Sequence, residues 1–78
     1  MQGEDFKSLK KQLSINIKLL RKSQGLAQER LGLEAGVDRT VISKIEREIG
    51  NPSLEILVKI ASFLGVSVTE LLQNPNNK

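Results

Sequence analysis

The 78-residue chain contains no cysteine, which excludes disulfides and thiolate metal sites. Histidine is absent too, so the usual general base and the commonest metal ligand are both missing. The carboxylates that remain have neither calcium-loop nor metal-helix spacing. With no nucleophile–base pair to be found, the composition argues against an enzyme, and no metal or cofactor is expected. Apolar runs last only a few residues, so no membrane span is expected. The start, Met1-Gln2-Gly3-Glu4-Asp5, is acidic and lacks the apolar block of a signal peptide. These absences suit a reducing cytosol, and a cytoplasmic protein is expected.

What is present reads as one small domain, residues 1–73, with a tail at 74–78 that has no core residue and is expected to fray. Twelve basic against nine acidic residues give a net charge of +3, a mild bias compatible with nucleic acid. Between Lys7 and Lys22 the bias is stronger. Lys7, Lys10, Lys11, Lys18, Arg21 and Lys22 face no acid in that window, a pattern that also suits a solvated helix face.

Hydrophobic spacing predicts an all-α bundle of about five short helices. Phe6, Leu9, Leu13, Ile17 and Leu20 recur at steps of three and four, and Gly25 ends that first helix. A second helix is predicted over about Gln28 to Ala35, with Leu31 inward and Gly36 as the turn. Asp38 is placed to cap a third, whose apolar positions are Val41, Ile42 and Ile45. After Gly50-Asn51-Pro52, Ser53 caps a fourth, with Leu54, Leu57, Val58, Ile60, Ala61 and Leu64 as buried candidates. Ser67-Val68-Thr69-Glu70 matches a capping box and opens a fifth, about Val68 to Gln73.

The pair of helices meeting at Gly36 carries the functional signal. Leu31, Val37, Ile42 and Ile45 sit where two steeply crossing helices would bury a shared seam, and Gly32 is small enough for close approach. This is the helix-turn-helix pattern, whose second helix enters the DNA major groove. With Ile42 and Ile45 inward, helical geometry sends Arg39, Thr40, Ser43 and Lys44 to one outer face. Arg and Lys pair with guanine O6 and N7, while Thr and Ser offer hydroxyls and a methyl. That face suits the reading of base edges.

Gln28 through Arg47, with Arg21 and Asn51-Pro52-Ser53-Leu54, resembles the helix-turn-helix domain of the phage-repressor/Cro, or XRE, family. The resemblance covers roughly Ile15 to Leu72 and implies a lambda-repressor-like fold. The run Asp38 to Arg47 also resembles the controller proteins of restriction–modification systems, small freestanding domains that bind operators as dimers. The resemblance implies phosphate contacts for Gln28, Arg47 and Asn51, and an ion pair between Arg21 and Glu46 that orients the recognition helix. Asp38 reads better as a cap than as a base reader.

The sequence departs from the family at the second helix. Ala27 and Arg30 stand where a Ser/Thr–Glu capping box is usual, which predicts a loose first turn there. Gly32 replaces the usual alanine.

A sequence-specific transcriptional regulator is therefore expected, bound as a homodimer to double-stranded operator DNA. Val66, Val68, Leu71 and Leu72 exceed what a short helix needs for its own core and are the candidate dimer surface. With no sequence left over for an effector domain, no small-molecule effector is expected. A phage or metabolic repressor and an antitoxin are the alternatives within the class. From another class, a protein-interaction module is the rival, and the cations at 39 and 44 argue against it.

Overall fold

Each helix begins where a short polar side chain can satisfy free backbone N–H groups. Asp5 accepts from the Ser8 N–H at 2.7 Å and starts α1, Phe6–Ser23. Asp38 accepts from Thr40 N–H at 2.7 Å and starts α3, Arg39–Glu46. Ser53 starts α4, Leu54–Leu64, and the Ser67–Glu70 capping box starts α5, Val68–Leu72. The exception is α2, Gln28–Ala35, where Ala27 provides no side-chain cap, as its sequence predicts. These elements come from a computed structural model that describes residues 5–74; most of the tail expected to fray lies outside those residues.

Four helices end alike. Just past each end one residue adopts a left-handed backbone, the first after α2 and α4 and the second after α1 and α3, and the next N–H reaches back to an orphan carbonyl. Glycine occupies that position after α1, α2 and α4, but Glu48 occupies it after α3, with φ 63°. Its N–H donates to the Ile45 carbonyl at 3.0 Å, and Ile49 N–H donates to the Lys44 carbonyl at 2.9 Å.

The helices pack around one apolar centre. Leu13 and Ile17 of α1, Leu31 of α2, and Ile42 and Ile45 of α3 are buried there with Leu57, Ile60 and Leu64 of α4. Each fully buried side chain of this kind contributes about 1.5–3 kcal/mol. α1 lies against α3 and α5, while α2 lies against α3 and α4. The close approach of α2 to the turn requires glycine. A Cβ on Gly32 would stand 2.6 Å from the Val37 carbonyl oxygen, a backbone atom that cannot swing away.

Three sequence expectations need correction. Leu54 and Val58 of α4 are exposed rather than buried, and Phe6 stands outside the core with the Lys10 ammonium 4.7 Å from its ring centre. Gln73 is the C-cap of α5 rather than its last turn.

Candidate nucleic-acid interface

The left-handed turn at Gly36 and the extended Asp38 cap redirect the chain so that α3 crosses α2. Val37 is buried in the turn, and Ile42 and Ile45 fix the inner face of α3. The opposite face presents Arg39, Thr40 and Lys44 to solvent, with Ser43 half-buried beside them. All four positions expected to read bases thus share one outward surface. Arg39 and Lys44 form no salt bridge among the described residues, so both charges are available to a ligand. The aliphatic stem of Lys44 runs beside Gly50 in the turn after α3. Exposed Arg47 and Asn51 flank that end of the helix.

α3 is held by a carboxylate at its last residue. Glu46 is buried and accepts Arg21 Nε at 2.6 Å and Arg21 Nη2 at 2.9 Å. This two-pronged geometry fixes direction as well as distance. Arg21 Nη1 also donates to the Leu26 carbonyl at 2.7 Å, so the guanidinium braces the α1–α2 turn too. Burial pushes the Glu46 carboxyl up, and it is the largest single influence. The hydrogen bonds from Arg21 and Gln28, with the charges of Arg21 and Lys18, together outweigh it and hold the group below its usual range. Glu46 in turn raises the Arg21 guanidinium above its ordinary value. The pair is therefore fully ionised near neutrality.

Gln28 occupies an unexpected position. Its side-chain amide donates to Glu46 Oε1 at 3.0 Å, so the uncapped start of α2 is tied to the end of α3. At Asp38, the Thr40 N–H hydrogen bond holds the carboxyl below its ordinary value, in keeping with a cap.

A helix-turn-helix family profile, HTH_3, matches residues 17–71. The chain belongs to this helix-turn-helix family. A hypothetical transcription factor of Neisseria meningitidis is 36% identical over 74 residues, covering 95% of this chain and 70% of that protein. The crystal structure of the Neisseria factor superimposes with a TM-score of 0.83, over 96% of this chain and 86% of its own. Control protein C.SmaI of Serratia marcescens is 36% identical over 67 residues, spanning 86% of this chain and 80% of C.SmaI. SinR of Bacillus subtilis is 42% identical over 57 residues, 72% of this chain and 51% of SinR. A crystal structure of SinR in complex with DNA has a TM-score of 0.73 and 39% identity, over 78% of this chain and 98% of the other.

Two buried polar residues of this helix-turn-helix domain escape a reading of the sequence. Ser14 Oγ donates to the Glu46 carbonyl at 2.7 Å, a second link from α1 to the end of α3. The Asn16 amide donates to the carbonyls of Leu71 at 2.7 Å and Gln73 at 2.8 Å, and so terminates α5. Their one sequence signal is position: both lie between Leu13 and Ile17, near the inward stripe of α1. The candidate dimer residues also need revision. Leu71 is 0% exposed and packs wholly inside the protomer, which removes it from any interface. Val66, Val68 and Leu72 are half-buried against the same core.

Proposed function

We propose that this chain is a sequence-specific DNA-binding transcriptional regulator. One observation carries the reading: Arg39, Thr40, Ser43 and Lys44 share the outer face of α3 while Glu46 locks that helix to α1 and α2. Rigid presentation lets side chains discriminate base edges rather than merely neutralise phosphate. Arg47 and Asn51, past the end of α3, serve as phosphate contacts. Gln28 joins them through whatever donor capacity its bond to Glu46 leaves free. The DNA complex of SinR supports this reading, and binding in the cytoplasm to double-stranded DNA follows from it. No metal, cofactor or small-molecule effector enters this reading.

The domain acts as a homodimer on a two-fold symmetric operator, since one recognition helix reads only a few base pairs. For that dimer α4 is a better candidate surface than α5, whose Leu71 is buried. Leu54 is 68% exposed and Val58 47%, four residues apart on one face. Glu55 and Lys59 flank them with opposite charges, 3.8 Å apart. An antiparallel α4–α4 contact across a two-fold axis would set each charge against its opposite on the partner. A controller of a restriction–modification system is the favoured regulatory setting, supported by the near-full-length similarity to C.SmaI.

Binding to selected duplexes, measured at two salt concentrations, tests the reading. Arg39→Ala should cost about 1–3 kcal/mol and relax preference at one base position. Arg47→Ala should weaken all duplexes alike and flatten the salt dependence. Absence of any DNA binding at low salt would refute the assignment and leave a protein-interaction module.

A further inference from the structure

The outer face of α1 takes no part in the functions described above. Lys11, Ile15 and Leu19 follow one another at four-residue steps, and Lys18 and Lys22 run alongside them. Ile15 is 39% exposed and Leu19 61%. Leu19 precedes Arg21 by two residues, and two steps of a 3.6-residue turn carry it to the opposite side of the helix. Arg21 faces α3, so Leu19 faces away from it. Beside Leu19, a groove runs between α1 and α5, floored by Leu20 and Val66 and bounded by Gln73.

We propose that this face docks an acidic amphipathic segment of another protein: apolar side chains of the partner cover Ile15 and Leu19, and its carboxylates meet Lys11, Lys18 and Lys22. Charge complementarity picks out the partner. From Lys7 to Lys22 the chain carries no acid. Across the groove stands Glu70, whose carboxylate is already engaged by the Ser67 N–H at 2.8 Å. Lys18 is half-buried and near enough to Glu46 to act on that carboxyl, so Lys11 and Lys22 supply the freer charges. A duplex would match the lysines but gain nothing from two aliphatic side chains at their centre, whereas an amphipathic helix uses both. The surface is independent of α3, and the inference stands or falls apart from DNA binding.

The test uses the whole chain and a fluorescent synthetic helix, with leucines on one face and glutamates elsewhere. Anisotropy should saturate, and amide chemical-shift changes should centre on Lys11, Ile15, Leu19 and Lys22. Peptides with the leucines changed to serine, or the glutamates to glutamine, should each bind about tenfold more weakly. The double variants I15S/L19S and K11E/K22E should lose a similar factor and keep their affinity for duplex DNA. Unsaturable binding, equal binding of the serine peptide, or shifts centred on α3 would overturn the proposal. So would duplex DNA that perturbs the α1 lysines directly, which would assign the face to nucleic acid. The shift map of the unmodified chain decides the matter even if a double variant fails to fold.

Discussion

Gly32 sets two tendencies against each other. In a free helix alanine is favoured over glycine by about 1 kcal/mol, so Gly32→Ala looks stabilising from propensity alone. Here the new Cβ would meet the Val37 carbonyl oxygen at 2.6 Å. Relieving that clash requires α2 and the turn to part, an overpacking cost of about 1–3 kcal/mol. Packing wins, and thermal denaturation should give Gly32→Ala a lower midpoint than the parent. Glu48 presents the reverse case. A side chain at φ 63° costs about 1–2 kcal/mol that glycine avoids. Glycine regains part of this as extra freedom in the unfolded chain. Glu48→Gly should therefore stabilise by about 1 kcal/mol net, near 4–8 °C in melting midpoint for a domain this small.

Among the elements, α3 depends most on a single contact. Glu46 titrates lower in the folded chain than in the unfolded one, so its contribution is complete above the ordinary glutamate value of about 4.3. As pH falls from there through the lower folded value, that contribution is lost. Urea unfolding of the parent should weaken across this acidic window, and Glu46→Gln should show a shallower pH dependence. Near neutrality the same variant leaves the Arg21 guanidinium without its counter-charge, a loss on the order of 3–5 kcal/mol. Much of the element-level structure is legible in the sequence because its causes are local. The caps at Asp38, Ser53 and Ser67 lie within three residues of the N–H groups they satisfy, and the inward stripe of α3 follows from spacing. Ser14 and Asn16 are illegible for the converse reason: the backbone carbonyls they donate to lie 32 residues away for Ser14 and 54 to 57 for Asn16. Gln28 likewise meets Glu46 only once α2 and α3 have crossed. The apolar stripe of α4 is wider than its neighbours can cover, and spacing alone does not reveal that Leu54 and Val58 form the uncovered edge.

For the whole molecule, the decisive question is whether two copies meet through α4. Sedimentation equilibrium should give a mass that rises with concentration toward the dimer. In the proposed α4 pairing, Val58→Glu would place like charges on the two-fold axis and should hold the chain monomeric, with helical content unchanged. That variant should bind a single half-site normally but lose its advantage on paired half-sites spaced about 34 Å apart. A dimer that survives both Val58→Glu and Leu54→Ser would place the contact elsewhere. The core does not depend on this outcome, because its buried side chains all come from one chain.

The anchoring of α3 has a consequence for how such a protein can diversify. Its rivets, Arg21, Gln28 and Ser14, all close on the residue that ends the helix, whereas the outward positions 39, 40, 43 and 44 bear no part of that load. If the proposed DNA-reading role holds, swapping the four outward residues would rewrite which DNA word is recognised while the mount stays rigid. Altering the mount would loosen every word at once.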